Sequence, residues 1–266
     1  MSYVKPEEMI ENMLDAGAKK ATLSIKDLLI RGALSGAFLG YATTLAITGI
    51  TQTGLGIVGA IIFPIGFVMI ILLGLELATG NFALLPIAVK DKRIKISNVA
   101  YNWTWVLIGN LLGSLLYALL YTAVITKMGH IDPTTILAAQ KIMAIAEAKT
   151  LGYAKFGFDG TLSAFTSAIL CNWMVTLGAV MAFTSTATIG KIVAMWLPIM
   201  TFFALGFEHA IVNMFVIPAG MMLGANVTVS NWWMYNEIPV LLGNIVGGMI
   251  FTGFALYFTS KKVESK

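Results

Sequence analysis

Gly206-Phe207-Glu208-His209-Ala210-Ile211-Val212-Asn213-Met214-Phe215-Val216-Ile217-Pro218-Ala219-Gly220 decides how this chain is read. The stretch lies inside a long apolar run, yet it carries Glu208, His209 and Asn213 together, followed by Pro218. Ionisable groups at membrane depth are costly and line a pathway or a water-filled cavity. Of the three, His209 changes charge nearest neutral pH. A second stretch echoes the first: Gly74-Leu75-Glu76-Leu77-Ala78-Thr79-Gly80-Asn81-Phe82-Ala83-Leu84-Leu85-Pro86. Gly74, Glu76, Ala78, Asn81 and Pro86 each stand 132 residues before Gly206, Glu208, Ala210, Asn213 and Pro218. Identities at one fixed offset, in an apolar background, mark an internal duplication with one broken helix per half.

The composition agrees. Of 266 residues, 58% are hydrophobic and only 11% are charged, with a mean hydropathy of +0.85. Soluble domains carry about 25% charged residues, so the chain is an integral membrane protein without room for a soluble enzyme domain. The net charge of +4 is topological and points to no nucleic acid. One cysteine, Cys171, and two histidines, His130 and His209, make neither a disulfide framework nor an ordinary zinc site. No metal and no cofactor are expected.

Working outward, residues 5–23 read as a modestly amphipathic helix, with Met9, Ile10, Met13, Leu14 and Ala21 on one side and Glu8, Glu11, Asp15 and Lys19 opposite. It is expected to pack on the bundle as a solvated lead-in, to lie on the membrane or to cover a pore mouth. Residues 1–27 are the N-terminal segment, 28–260 the membrane domain and 261–266 the tail. The first span is about 28–50. The second, about 56–90, exceeds the roughly 20 residues that one crossing needs, and an interruption at Thr79-Gly80-Asn81 is expected to split it. The third is about 98–126, the fourth about 161–186, the fifth about 191–222 and broken at Glu208-His209, and the sixth about 238–260. Trp232 and Trp233 read as interfacial anchors. The fold expected is an all-α membrane protein of six transmembrane helices in two repeats, about 28–126 and 161–260, with broken second and fifth helices.

Charge sets the orientation. Both termini, the 90–95 loop and Lys191 together hold 13 of the 17 basic residues, leaving Lys127, Lys141, Lys149 and Lys155 on the other side. The positive-inside rule makes the first side cytoplasmic. Three spans per half is an odd number, so the halves enter the membrane inverted with respect to each other.

A broken helix frees backbone N–H and C=O groups, which must be buried in protein or line a cavity. Half-helix N-termini directed inward bring partial positive charge, which favours an anion. Glu76 and Glu208, and Asn81 and Asn213, are duplicated and so read as scaffold, each carboxylate accepting freed backbone N–H groups; Glu208 and Asn213, flanking His209, are also candidates for the substrate pathway. His209 aligns with Leu77 and departs from the repeat, which makes it the stronger pathway candidate. Thr79, at the other break, is placed to hydrogen-bond His209 or a ligand. Phe63, Phe67, Leu77 and Phe202 are candidate hydrophobic constrictions. Asn110, Asn172 and Asn244 read as ties between helices, with Asn172 also a candidate vestibule residue, and the glycine-rich faces of the third and sixth spans as close packing surfaces.

Gly206-Phe207-Glu208-His209-Ala210-Ile211-Val212-Asn213-Met214-Phe215-Val216-Ile217-Pro218 resembles the signature of the formate/nitrite transporter family. So do Leu170-Cys171-Asn172, Gly243-Asn244-Ile245-Val246-Gly247-Gly248, and Asn102-Trp103 with Gly109-Asn110. The resemblance covers nearly the whole chain. It implies an aquaporin-like protomer, a homopentamer with one pore per protomer, and a multi-pass location in the cytoplasmic membrane of a prokaryote. It places His209 between two apolar slits, with Thr79 beside it, Phe63 and Phe67 on the outer side, and Leu77 and Phe202 on the inner side. It also implies a lysine in the outer vestibule before Cys171-Asn172, for which Lys155 and Lys149 compete, with Lys155 preferred for its nearness to Cys171.

The function expected is pH-dependent movement of formate, with His209, helped by Glu208, neutralising the anion so that it crosses the slits as the acid. Nitrite, hydrosulfide and short carboxylates are the alternatives within this class. A water or glycerol pore is a different class, disfavoured by Glu208-His209 and by the absence of a paired Asn-Pro-Ala motif. A serine–histidine hydrolase is disfavoured because Ser163 and Ser185 sit near span ends. The topology gives a direct expectation. In intact cells, an impermeant thiol reagent should label a cysteine placed at position 130 and spare one placed at position 92; the reverse pattern would overturn the orientation.

Overall fold

A computed structural model describes residues 2–261. Its helices follow from local signals. Helix α1 (Pro6–Lys20) opens on a proline, whose missing N–H costs nothing in the first turn. Helix α2 (Ile25–Thr53) is capped by Ser24, whose hydroxyl accepts the Asp27 N–H at 3.1 Å, and is closed by Gly54 at φ 72°. The stretch expected as the second span comes in three pieces: α3 (Gly56–Ile62), α4 (Pro64–Leu72) and α5 (Ala78–Lys90). Helix α6 (Ile96–Ile125) completes the first half, and a connecting pair, α7 (Leu137–Lys149) and α8 (Leu151–Ala154), leads to the second. There follow α9 (Gly157–Met181), α10 (Thr188–Ala204) and α11 (Ala210–Leu223). The last run is α12 (Val229–Trp232), a π-helical turn Trp233–Glu237, α13 (Ile238–Val246), a π-helical stretch Gly247–Phe254 and α14 (Ala255–Ser260). Among the described residues, four helical runs are long and apolar enough to cross a membrane: Ile25–Thr53, Ile96–Ile125, Gly157–Thr184 and Val229–Ser260. Between them lie shorter apolar helices at Gly56–Leu72, Thr188–Ala204 and Ala210–Leu223.

The two breaks share one backbone path. Gly74 and Gly206 take φ 63° and 71°, a region that suits glycine because it has no Cβ. Leu77 at φ −119°, ψ 118° matches His209 at φ −117°, ψ 114°. The second-span break therefore lies at residues 73–77, ahead of the expected Thr79-Gly80-Asn81. Gly74 supplies the left-handed turn, and Thr79 belongs to the first turn of α5. The fifth-span break falls at 205–209, with His209 as its last residue. The interruption at Phe63, where Pro64 starts α4, and the two π-helical stretches of the last run carry no repeat signal and were not expected.

Small residues set the spacing of the long helices, as expected. A Cβ added to Gly113 of α6 would lie 1.8 Å from the Ala33 carbonyl oxygen of α2, and one added to Gly36 would lie 2.1 Å from the Asn110 oxygen. In the second half, Gly243 and Gly247 meet the carbonyl oxygens of Phe165 and Ile169 on α9 at 2.3 and 2.4 Å by the same measure. Between apolar helices in lipid there is no hydrophobic drive, and close backbone approach supplies the packing attraction.

Helix α1 is the packed lead-in. Met9, Ile10, Met13 and Leu14 are buried with Leu84, Leu85 and Ile87 of α5, and Gly17 lets α1 approach the Leu84 carbonyl. Arg93 pairs with Glu11, Asp15 and Asp91, and Lys261 pairs with Glu11 and Asp91. Hydrogen bonding from Lys261 foremost, and from Arg93, holds the Glu11 carboxyl below its ordinary range.

The glycine crossing yields a stability expectation. Gly113→Val must push α2 away from α6, a strain of about 1–3 kcal/mol or more, and should lower the Tm of the solubilised protein by several degrees. Gly56→Ala, where an added Cβ meets nothing within 4 Å, should leave it unchanged. Equal melting of both variants would show that the crossing does not set stability.

Candidate functional site

Each helix break leaves a carbonyl before it and N–H groups after it with no helical partner, and the duplicated asparagines resolve both at once. Asn110 Oδ1 accepts the Ala78 N–H at 3.0 Å, while its Nδ2 donates to the carbonyls of Glu76 at 3.0 Å and Gly32 at 2.8 Å. In the second half Asn244 Oδ1 accepts the Ala210 N–H at 2.9 Å, and its Nδ2 donates to the carbonyls of Glu208 at 3.0 Å and Ala168 at 2.9 Å. An amide is the side chain for this task because it both donates and accepts. The carboxylates, expected to accept the freed N–H groups, do something else.

Glu76 Oε1 pairs with Lys20 Nζ at 2.8 Å, and its Oε2 accepts from Asn81 Nδ2 at 2.8 Å. Asn81 also donates to Asn102 Oδ1, and Asn102 donates to the Lys20 carbonyl. The second half repeats the ring. Glu208 Oε2 takes Lys149 Nζ and Asn213 Nδ2, each at 2.8 Å; Asn213 donates to Asn236 Oδ1, and Asn236 donates to the Lys149 carbonyl. Both carboxylates are buried, at 2% and 3% exposure, and a buried charge is tolerable when paired and hydrogen-bonded in this way. Two side-chain bonds to Glu208 lie outside the repeat: the Tyr153 hydroxyl donates to Oε1 at 3.0 Å, and Asn236 Nδ2 donates to Oε2 at 3.2 Å. Burial, and then the Glu208 charge, pushes the Tyr153 phenol up, which keeps the proton on the donating oxygen.

Between the two rings the half-helix N-termini meet. His209 is the N-cap of α11, and its Nδ1 accepts the Val212 N–H at 3.2 Å. An N–H can only donate, so that bond needs the Nδ1 lone pair, and the ring is neutral with its hydrogen on Nε2. Nε2 lies 3.1 Å from Thr79 Oγ1 in the first turn of α5. The sequence expectation of a Thr79–His209 contact is therefore met. The expectation that Glu208 acts on the imidazole directly finds no hydrogen bond, because its oxygens are taken by Lys149, Tyr153, Asn213 and Asn236.

The apolar candidates surround this pair. Phe202 stacks on the imidazole with centroids 5.7 Å apart and meets Phe63 edge-on, also at 5.7 Å. Phe63 in turn stacks on Phe203 at 4.1 Å. Phe63 and Phe202, which the resemblance puts in separate slits, thus share one aromatic layer. Phe67 and Leu77 are buried in the same cluster.

Three other placements differ from expectation. Lys149, rather than Lys155, stands at the site; Lys155 lines an open cavity of about 550 Å³ with Asp159 and Ser163. The ordering by nearness to Cys171 in sequence failed because α7 delivers its C-terminus to Glu208, while α8 turns Lys155 away. Asn172 is no vestibule residue. It is fully buried and donates to the carbonyls of Thr79 at 3.1 Å and Asn244 at 2.6 Å. Asn213, expected on the pathway, is committed to the Glu208 ring. Sequence reasoning missed Lys20, Tyr153 and the pair Asn102 and Asn236. The asparagines stand 134 residues apart, as do Asn110 and Asn244, and that second offset would have found them. The lysines share no such offset. At the α1 end, Lys19, Lys20, Arg31, Lys191 and Glu76 line a cavity of about 320 Å³.

A sequence profile described as Formate/nitrite transporter matches residues 7–258. The chain is 35% identical over 274 residues to the uncharacterized transporter YrhG of Bacillus subtilis, covering 99% of this chain and 96% of that protein. It is 34% identical over 275 residues to the formate channel BtFdhC of Bacillus thuringiensis, covering 100% and 99%. A solved structure described as a pentameric formate channel with formate bound superposes with a TM-score of 0.70 at 28% identity, covering 88% of this chain and 96% of that one. Sequence and fold agree: the chain belongs to the formate/nitrite transporter family, a family of channels and transporters rather than enzymes.

Proposed function

We propose that this protein moves formate, a small monovalent weak-acid anion, across the cytoplasmic membrane of a prokaryote. The observation that carries the proposal is the contact of His209 Nε2 with Thr79 Oγ1 where the N-termini of α5 and α11 converge. In this reading the protomer has six spans in two inverted halves, residues 28–126 and 161–260, and assembles as a homopentamer. Both termini and the cavity of Lys19, Lys20, Arg31 and Lys191 face the cytoplasm, and Lys149 with Tyr153 faces out. The support is the one-ended gathering of basic residues and the likeness to the pentameric formate channel.

The geometry suggests a division of labour. Lysines at either end draw the anion in. At the centre, two half-helix N-termini offer partial positive charge, and Nε2–H of His209 and Oγ1–H of Thr79 offer hydrogen bonds. The aromatic layer of Phe63 and Phe202, with Phe67 and Leu77, excludes hydrated ions, so the solute crosses it as the neutral acid. Because the imidazole is already neutral, with Nδ1 committed to Val212, its part is that of a donor. The proton that neutralises the anion then enters with it from the water of the vestibule. Nitrite shares charge and size with formate and is the nearest alternative substrate.

Substitution of His209 separates donor from proton source. Asparagine is a good N-cap and supplies both an acceptor for Val212 N–H and a donor toward Thr79. His209→Asn in proteoliposomes should therefore take up labelled formate within a few-fold of the wild-type rate and keep its pH dependence. His209→Phe removes the donor and should cost roughly 10–100-fold, the value of a hydrogen bond to a charged group. A His209→Asn variant that carries formate at a rate independent of pH would show instead that the imidazole supplies the proton. Uptake of nitrite without formate by the wild-type protein would reassign the substrate.

A further inference from the structure

The two halves build the same carboxylate ring, so a departure from the repeat marks something the scaffold does not require. His209 in place of Leu77 is one departure. A second lies beside Asn236. The offset of 134 residues that pairs Asn102 with Asn236 pairs Trp103 with Glu237, so a carboxyl stands where the first half has an indole. Glu237 is fully buried. It ends the π-helical turn Trp233–Glu237, whose i to i+5 closure sets it over Trp232, and the Trp232 Nε1–H donates to its Oε2 at 2.9 Å. Its Oε1 has no hydrogen-bond partner among the described residues.

That inventory differs from those of the other buried carboxylates. Glu76 and Glu208 each face a lysine and at least one amide donor. Among the described residues, Glu237 has one neutral donor and no cation. A buried ionised oxygen without a partner is among the costliest arrangements in a protein. A carboxylic acid needs less, since the Trp232 N–H satisfies its carbonyl oxygen and the other oxygen carries the proton. The elements packed against the π turn bring few other titratable groups: Glu208 and His209 at the start of α11, Tyr153 on α8, and Cys171 and Asp159 on α9, with Lys149 at the end of α7; Tyr235 lies on the turn itself. Of these, Glu208 is the anion on the site side, joined to the turn through Asn236, whose Nδ2 donates to Glu208 Oε2 at 3.2 Å.

We propose that Glu237 is a proton-holding carboxyl built into the outer half of the pathway: neutral while anions are admitted, and on ionising a second negative charge beside Glu208 that turns anions away from the Lys149 mouth. Glu237 touches no solute. It acts through the charge that it adds to, or withholds from, the Lys149–Glu208 pair. The transport consequence rests on the formate reading above; the protonation state does not.

Two measurements on the full-length protein in proteoliposomes test it. Glutamine at 237 keeps the size of the side chain and an acceptor for Trp232, so Glu237→Gln should fold and should match wild-type formate uptake at acid pH. At alkaline pH, its uptake should exceed that of the wild type by roughly tenfold, the factor that about 1.4 kcal/mol of like-charge repulsion supplies. Infrared difference spectra should show a protonated-carboxyl C=O stretch in the wild type at neutral pH that is absent from Glu237→Gln. Trp232→Phe, which removes the donor but not the carboxyl, should keep that band and extend it to higher pH. Superimposable uptake profiles for wild type and Glu237→Gln, or the absence of the band at neutral pH, would overturn the proposal. A wild-type protein that carries no formate yet shows the band would refute the substrate and leave the proton-holding carboxyl standing.

Discussion

Backbone polar groups freed in a membrane helix must find partners inside the protein, and the structure turns on how two asparagines meet that demand. Asn110 and Asn244 each bridge the carbonyl before a break and the N–H after it, while holding a neighbouring helix by a further carbonyl. With those groups satisfied, α5 and α11 can begin in the interior, where a continuous helix would present only side chains. The glycine contacts of α2 with α6 and of α9 with α13 are what bring each asparagine within reach. Close packing and the interrupted helices are therefore one device.

The carboxylate rings add rigidity to it. Lys20, Glu76, Asn81 and Asn102 at one end, and Lys149, Glu208, Asn213 and Asn236 at the other, tie the approach to each break to the loops and helices around it. Each ring neutralises its own buried charge, so neither lends a net charge to the centre. Other residues break the symmetry of the halves. His209 offers a donor toward Thr79, and the phenol of Tyr153 and the carboxyl of Glu237 distinguish the end of the second ring from that of the first. A duplicated scaffold supplies the positions, and the two halves differ in what those positions carry.

Much of this was legible in the linear sequence. Polar residues at a constant offset in an apolar background required two broken helices, because a repeat of Gly, Glu, Asn and Pro has no use on a lipid-facing helix. The same offset marked His209 against Leu77 as the residue to watch. The positions of the breaks were read correctly in one half and four to six residues late in the other, since Gly80 looked like the breaker while Gly74 carries the left-handed turn.

What the sequence by itself determined is the class of protein, which follows from composition, and the duplication, the two helix breaks and the departure of His209 from the repeat, which follow from the 132-residue offset. Tertiary structure alone decided who answers whom. Lys149 and Lys155 are indistinguishable as letters, and only the path of α7 and α8 brings one to Glu208 and turns the other outward. Asn172 reads the same whether it faces a vestibule or a carbonyl, and the fold gives it the carbonyls of Thr79 and Asn244. The neutral state of His209 likewise follows from the N-cap bond to Val212, and the isolation of Glu237 from a π turn without a sequence signature. Hydrogen bonds over long separations depend on where helices cross, and crossing is a property of packed surfaces rather than of the order of residues.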